Sequence, residues 1–298
     1  MADPLDELAT LIAEKALARL RQERQERAPV VATPADTPKE CNIDGCSPCE
    51  EHNVCSAREL YGIGTARLTP GAIRTSKDLA PYIDHTLLKA DATRAEIVKL
   101  CDEARKYGFA TVCVNSSNVG LAARLLEGSS SKAIAVVGFP LGAGTTSAKV
   151  FETRESVRAG AGEIDMVINI GQLKARNYGY VECDIREVAL AAKPRPVKVI
   201  LETGALTRDE KIIGCALAKA AGAAFVKTST GFGPGGATAE DVALMRSIVG
   251  DDVGVKASGG VRTTADAQKM VEAGANRLGA SASVSIVTGV AAVAGGKY

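Results

Sequence analysis

Phe-Val-Lys-Thr-Ser-Thr-Gly-Phe (225–232) and Val-Gly-Val-Lys-Ala-Ser-Gly-Gly-Val-Arg (253–262) share one pattern. Each is a short apolar, β-branched run that carries a lysine and closes on glycine. Working outward, similar runs lie at 82–84, 111–115, 133–138, 163–168, 197–202, 224–228, 253–257 and 277–279. Amphipathic stretches such as 94–106, 209–221 and 239–248 lie between them. Eight strand–helix units at a spacing of roughly 30 residues predict a closed parallel (β/α)8 barrel. A doubly wound open sheet is the competing fold, but it usually has fewer strands, and no Gly-x-Gly-x-x-Gly opens the first unit.

The barrel places chemistry at the C-terminal ends of its strands. Three candidates are expected there: Asp165 on strand four, Lys227 on strand six and Lys256 on strand seven. Alternation along each strand can turn all three inward. A lysine in an apolar strand is costly unless it is paired or reactive. A salt bridge would account for one such lysine. Two on adjacent strands repel, and that repulsion lowers a lysine pKa and frees a neutral amine for carbonyl attack. Ser258-Gly259-Gly260 after strand seven and Gly279-Ala280-Ser281 after strand eight, read as opening the last helix, stand where this fold commonly binds phosphate.

Several ordered stretches, from residue 82 to about residue 287, resemble deoxyribose-phosphate aldolase. They are Tyr-Ile-Asp-His-Thr-Leu-Leu-Lys (82–89), Val-Cys-Val-Asn (112–115), Val-Gly-Phe-Pro-Leu-Gly (137–142) and Glu-Ile-Asp-Met-Val-Ile-Asn (163–169), with the two lysine-bearing runs and Gly-Ala-Ser (279–281). The resemblance implies reversible cleavage of 2-deoxy-D-ribose 5-phosphate to acetaldehyde and D-glyceraldehyde 3-phosphate, with no cofactor. It assigns Lys227 to imine formation, Lys256 to the neighbouring cation and Asp165 to the proton relay. Gly259, Gly260 and Ser281 would hold phosphate, although Ala282 stands where some members carry a second serine. Cys113 matches a cysteine near the substrate and reads equally as a small core residue; Thr86 is a weaker substrate-side candidate. Some members end in tyrosine, so Tyr298, on a Gly-Gly-Lys-Tyr tail, is expected either to enter the site or to belong to a disordered end. A related class I aldolase with another acceptor aldehyde and an inactive metal-binding scaffold are the alternatives.

Residues 77–298 are thus assigned to the barrel, preceded by three further zones. Residues 1–27 read as an amphipathic helix: Pro4 follows the N-cap Asp3, and Leu5, Leu8, Ile12, Ala16 and Leu20 share one face. Residues 28–40 form a Pro/Ala-rich tether. Residues 41–76 hold Cys41, Cys46, Cys49 and Cys55 with His52, a set that could bind Zn2+ or an iron–sulfur cluster, pair as disulfides, or stay reduced. The helix and tether resemble encapsulation peptides of bacterial microcompartments, which implies shell proteins as partners and the compartment lumen as a location. With 36 basic against 35 acidic residues the net charge is +1, so no nucleic-acid partner is expected. No apolar run reaches a membrane span, so no membrane partner and a cytoplasmic location are expected. Self-association into a homo-oligomer, a dimer, completes the expectations.

Overall fold

A computed structural model describes residue 68 and residues 73–290 of the chain. Eight parallel strands close into a barrel in sequence order: β1 (Ile83–Leu87), β2 (Thr111–Val114), β3 (Lys132–Val137), β4 (Glu163–Val167), β5 (Val197–Ile200), β6 (Phe225–Lys227), β7 (Gly254–Ser258) and β8 (Arg277–Ala280). The ring is completed where Ile83 pairs with Leu278 and Asp84 with Gly279. Helices α1 (Arg94–Tyr107), α2 (Val119–Leu125), α3 (Thr146–Arg158), α4 (Ile170–Lys174), α5 (Tyr178–Ala192), α6 (Arg208–Ala220), α7 (Ala239–Val249), α8 (Thr264–Ala273) and α9 (Ser283–Thr288) follow the strands. Local chemistry sets their starts. Thr93 and Glu96, Thr207 and Glu210, and Thr263 and Asp266 form reciprocal caps that satisfy the first free backbone N–H groups of α1, α6 and α8.

The two faces of the strands differ in kind. Outward residues, among them Val112, Val114, Ile164, Met166, Val199, Val255 and Leu278, pack with helix residues such as Ile97, Ile185, Leu217, Val242 and Met245 into one apolar layer. Each such buried side chain contributes about 1.5–3 kcal/mol from removal of apolar surface from water. Inward residues alternate with them and are mostly polar. A small inner apolar cluster, Leu88, Cys113, Ile134 and Val136, lies on the β1–β3 side and packs against Phe139.

Strand limits differ from the sequence reading in ways that matter for the site. Strand one begins one residue later and runs to Leu87, because His85, Thr86 and Leu87 pair with Val112, Cys113 and Val114. Strand seven extends to Ser258, and strand eight includes Gly279 and Ala280. Helix α9 therefore opens at Ser283 with Ala282 as its N-cap, and Ser281 precedes the helix rather than belonging to its first turn. The expected segments at 1–27, 28–40 and most of 41–76 lie outside the described residues, as does Tyr298.

Candidate active site

Asp165, Lys227 and Lys256 meet inside the barrel. Both lysine nitrogens donate to the same carboxylate oxygen, Asp165 Oδ2: Lys227 Nζ at 2.9 Å and Lys256 Nζ at 2.7 Å. The strand register brings the two lysines side by side, since Lys227 on β6 is paired with Lys256 on β7. Lys227 ends its strand, as expected. Asp165 and Lys256 sit at mid-strand, one layer deeper than the C-terminal position expected for them. Their side chains rise from that layer to the lysine amine. Space for Lys256 comes from Gly279, where a Cβ would lie 3.0 Å from the Lys256 Cε and 2.9 Å from the Ser258 Cβ.

Four further charged residues, all missed in the sequence reading, share the interior. Lys198 Nζ donates to Asp165 Oδ1 at 2.9 Å and forms a close ion pair with Glu163. Asp84 Oδ2 lies 2.6 Å from Lys256 Nζ, while its Oδ1 accepts from Arg277 at 2.8 Å and from the Thr111 hydroxyl at 2.7 Å. Arg277 also reaches Glu163 at 3.6 Å. The signal that could have found them is the one used for the lysines: charge on the inward phase of an otherwise apolar strand.

The charge inventory singles out one amine. Three carboxylates, Asp84, Glu163 and Asp165, face four basic groups, Lys198, Lys227, Lys256 and Arg277. Burial lowers the Lys227 pKa, and the Lys256 charge lowers it further; the opposing pull of Asp165 does not restore it. Burial also disfavours the charge on Lys256, but Asp165 and Asp84 outweigh it and hold its pKa above the usual lysine value. Lys198 is raised likewise: burial is overcome by Asp165, Glu163 and Asp84. Burial opposes ionisation of Asp165, yet Lys198, Lys227 and Lys256 hold it well below the usual carboxylate range. A neutral Lys227 leaves three anions against three cations. The neutral amine can still donate one N–H to Asp165 while its lone pair remains available.

The remaining expected residues occupy the walls and the rim. Cys113 faces the inner apolar cluster and also senses the charges of Asp165, Lys256 and Lys227; burial pushes its thiol up to about 11, so it stands as a small uncharged wall. Thr86, its partner on β1, is buried and donates its hydroxyl to the Asp84 carbonyl. Gly259 and Gly260 follow β7 with φ of +86° and +84°, a left-handed conformation open to glycine at little cost. Open space lies where a Gly260 Cβ would project, and the Ser281 side chain is exposed beside β8. The rim also contains Glu202, buried at φ +59°, whose carboxylate accepts from the backbone N–H of Thr230 at 3.2 Å and closely from its hydroxyl. Among the described residues, no group of three or more His, Cys, Asp or Glu is arranged to hold a metal ion. Cys41, Cys46, Cys49, Cys55 and His52 lie outside those residues. Among the described residues, no helix is long and apolar enough to cross a membrane.

An interior amine of lowered pKa has the chemistry to attack a carbonyl. The DeoC/LacD family of aldolases matches residues 79–293. A deoxyribose-phosphate aldolase from Clostridium perfringens (strain SM101 / Type A) is 58% identical over 214 residues, covering 72% of this chain and 96% of its own length. One from a Thermoanaerobacter species is 59% identical over 213 residues, covering 70% and 96%. The tetrameric deoxyribose phosphate aldolase of Aeropyrum pernix superposes with a TM-score of 0.68 at 33% identity, covering 78% of this chain and 97% of that one. The chain belongs to the DeoC/LacD family of aldolases.

Proposed function

We propose that the chain reversibly cleaves 2-deoxy-D-ribose 5-phosphate to acetaldehyde and D-glyceraldehyde 3-phosphate through a Schiff base on Lys227. The observation that carries this reading is the buried Lys227 amine, lowered in pKa and aligned with Lys256 on a shared Asp165 oxygen. Its lone pair attacks C1 of the open-chain sugar, and loss of water gives a protonated imine. That imine is an electron sink. Removal of the C3 hydroxyl proton then breaks the C2–C3 bond, releases D-glyceraldehyde 3-phosphate and leaves the two-carbon enamine on Lys227. Protonation at C2 and hydrolysis of the imine return acetaldehyde and the free amine.

Asp165, directly or through one water, relays protons with Lys256, whose persistent charge also favours the neutral form of Lys227. Gly259, Gly260 and Ser281 hold the phosphate, with Thr86 and Cys113 on the substrate side. Tyr298 takes part in proton transfer at C2, abstracting the proton in the synthetic direction. The reaction needs no cofactor in this reading. The test is turnover: purified protein given 2-deoxy-D-ribose 5-phosphate should release both products in equal amounts. Faster cleavage of a different sugar phosphate would instead favour a related class I aldolase with another acceptor.

Residues before the barrel carry a separate reading. The amphipathic pattern at 3–27 and its Pro-rich tether suit docking to microcompartment shell proteins in the compartment lumen, and acetaldehyde is a volatile product that such enclosure would retain. Cys41, Cys46, Cys49 and Cys55, with His52 as an alternative ligand, suit Zn2+ or an iron–sulfur cluster. Self-association follows the precedent of the relative described as tetrameric. Elemental analysis and an absorbance spectrum of anaerobically purified protein separate iron, zinc and metal-free outcomes.

A further inference from the structure

Two phenylalanines meet across the mouth of the barrel. Phe139, in the loop after β3, and Phe232, in the loop after β6, stand edge to face with ring centroids 5.3 Å apart and an interplanar angle of 88°. Their strands are three places apart in an eight-strand ring, so the pair links loops that no ladder joins. Phe139 packs on the inner apolar cluster of Leu88, Cys113, Ile134 and Val136. Phe232 is held from below: its backbone N–H donates to the Thr230 hydroxyl at 3.1 Å, and that hydroxyl donates to Glu202. One ring therefore packs on the inner apolar cluster and the other meets it from the rim.

This apolar cluster adjoins the charged set, because Val136 on β3 is paired with Asp165 on β4. Cys113 belongs to the cluster, and its thiol senses the charges of Asp165, Lys256 and Lys227. The interior thus holds two neighbouring sets of side chains: the charged groups around Asp165, and the apolar cluster of Leu88, Cys113, Ile134 and Val136 under the Phe139 ring. A carbon chain attached to Lys227 can lie between the apolar set and the groups that move protons.

We propose that Phe139, buttressed by Phe232, is a specificity-determining residue that completes the apolar wall beside the two-carbon arm of the imine and excludes longer aldehydes from Lys227. This rests on the Schiff-base reading above and adds the element that sets the donor's length. Phe139 acts by contact with the donor carbons, and Phe232 acts through Phe139 as a positioning residue. One methylene in an apolar pocket changes discrimination by roughly 10–200-fold, so the wall has measurable leverage.

The test is a competition between acetaldehyde and propanal for Lys227, trapped with limiting borohydride and read by peptide mass as the ratio of propyl to ethyl adduct. It needs no turnover, so it reports on variants that have lost catalysis. In the full-length protein the ethyl adduct should dominate. Phe139→Ala should raise the propyl-to-ethyl ratio about 10-fold or more. Phe139→Leu, which preserves apolar bulk and guards against a misfolded alanine variant, should raise it several-fold. Phe232→Ala should raise it less than Phe139→Ala, and the double variant should not exceed Phe139→Ala alone. A ratio unchanged in Phe139→Leu, with Lys227 still trapped, would overturn the inference and leave the aldolase reading standing. Absence of any Lys227 adduct in the unsubstituted protein would instead sink the reading on which it rests.

Discussion

The outer and inner faces of the same eight strands have opposite chemistry. Residues separated by one position along the chain, such as Ile164 and Asp165 or Val255 and Lys256, end in an apolar layer or in an ion network. The outer layer follows the ordinary route to stability, burial of apolar surface. The inner network does not: buried ion pairs seldom repay their desolvation, and their removal one partner at a time is costly. What the network supplies is a fixed set of charges in which one amine, Lys227, must share its carboxylate oxygen with Lys256. Stability is built on one face and reactivity on the other.

Breaking the inner face at its reactive point should have the largest effect. Lys227→Met is expected to lower kcat on the order of 10⁵-fold, the scale seen when a covalent nucleophile is removed. The same substitution should leave the thermal midpoint unchanged or raised, since the three remaining cations still balance three carboxylates; calorimetry checks this. Lys256→Met should lower kcat by about 10²–10⁴-fold, the range for loss of a positioned proton-transfer group. It should also move the acid limb of the kcat/KM profile to higher pH. The sign follows from removal of the cation that lowers the Lys227 pKa, while the carboxylates now exceed the cations. A limb that stays in place would separate Lys256 from amine activation.

Asp84→Asn tests the network away from the amine. It leaves Lys256 and Arg277 without their shared carboxylate and should destabilise by about 3–5 kcal/mol in a denaturant titration. The Asp84 pKa is lowered in the folded state: burial opposes, but Lys256, Arg277 and Lys198 prevail. Its contribution is therefore present above the unfolded carboxylate value near ~3.9 and lost as pH falls towards the folded one. The variant should lose less stability on acidification than the unsubstituted protein. On the outer face, Met166→Ala should cost about 2–5 kcal/mol while kcat per folded molecule changes less than about twofold. That last null effect on kcat is what distinguishes the two faces.

Much of this division was legible in the sequence. The eight runs and their spacing gave the closed barrel, and period-2 alternation gave Asp165, Lys227 and Lys256 an inward phase. The same alternation marked Glu163 two residues before Asp165, Lys198 within Val-Lys-Val-Ile, and Arg277 at the start of strand eight, but each reads alone as a charge at a strand margin or an isolated exception. Their meaning depends on register across the six strands that carry the network, which local pattern does not contain. Strand ends were also misplaced. Gly254 to Ser258 continues pairing through Ser258 because β8 offers partners as far as Gly279, and this moves Lys256 from the strand tip to its middle. Which lysine has its pKa lowered was legible only as repulsion between two; the distinction depends on all seven interior charged groups, which raise Lys198 and Lys256 and leave Lys227 lowered. The Phe139–Phe232 contact joins loops 93 residues apart in sequence and left no periodic trace.

The most direct measurement is peptide mapping after treatment of the full-length protein with acetaldehyde and borohydride near neutral pH. Lys198, Lys227 and Lys256 are all buried lysines of one network, so the distribution of label reads out which amine is free. A single reduced ethyl adduct on Lys227, with Lys198 and Lys256 unlabelled, is the expected result. Label on Lys198 or Lys256 in preference to Lys227, or no label on folded protein, would contradict the assignment of Lys227 as the neutral nucleophile.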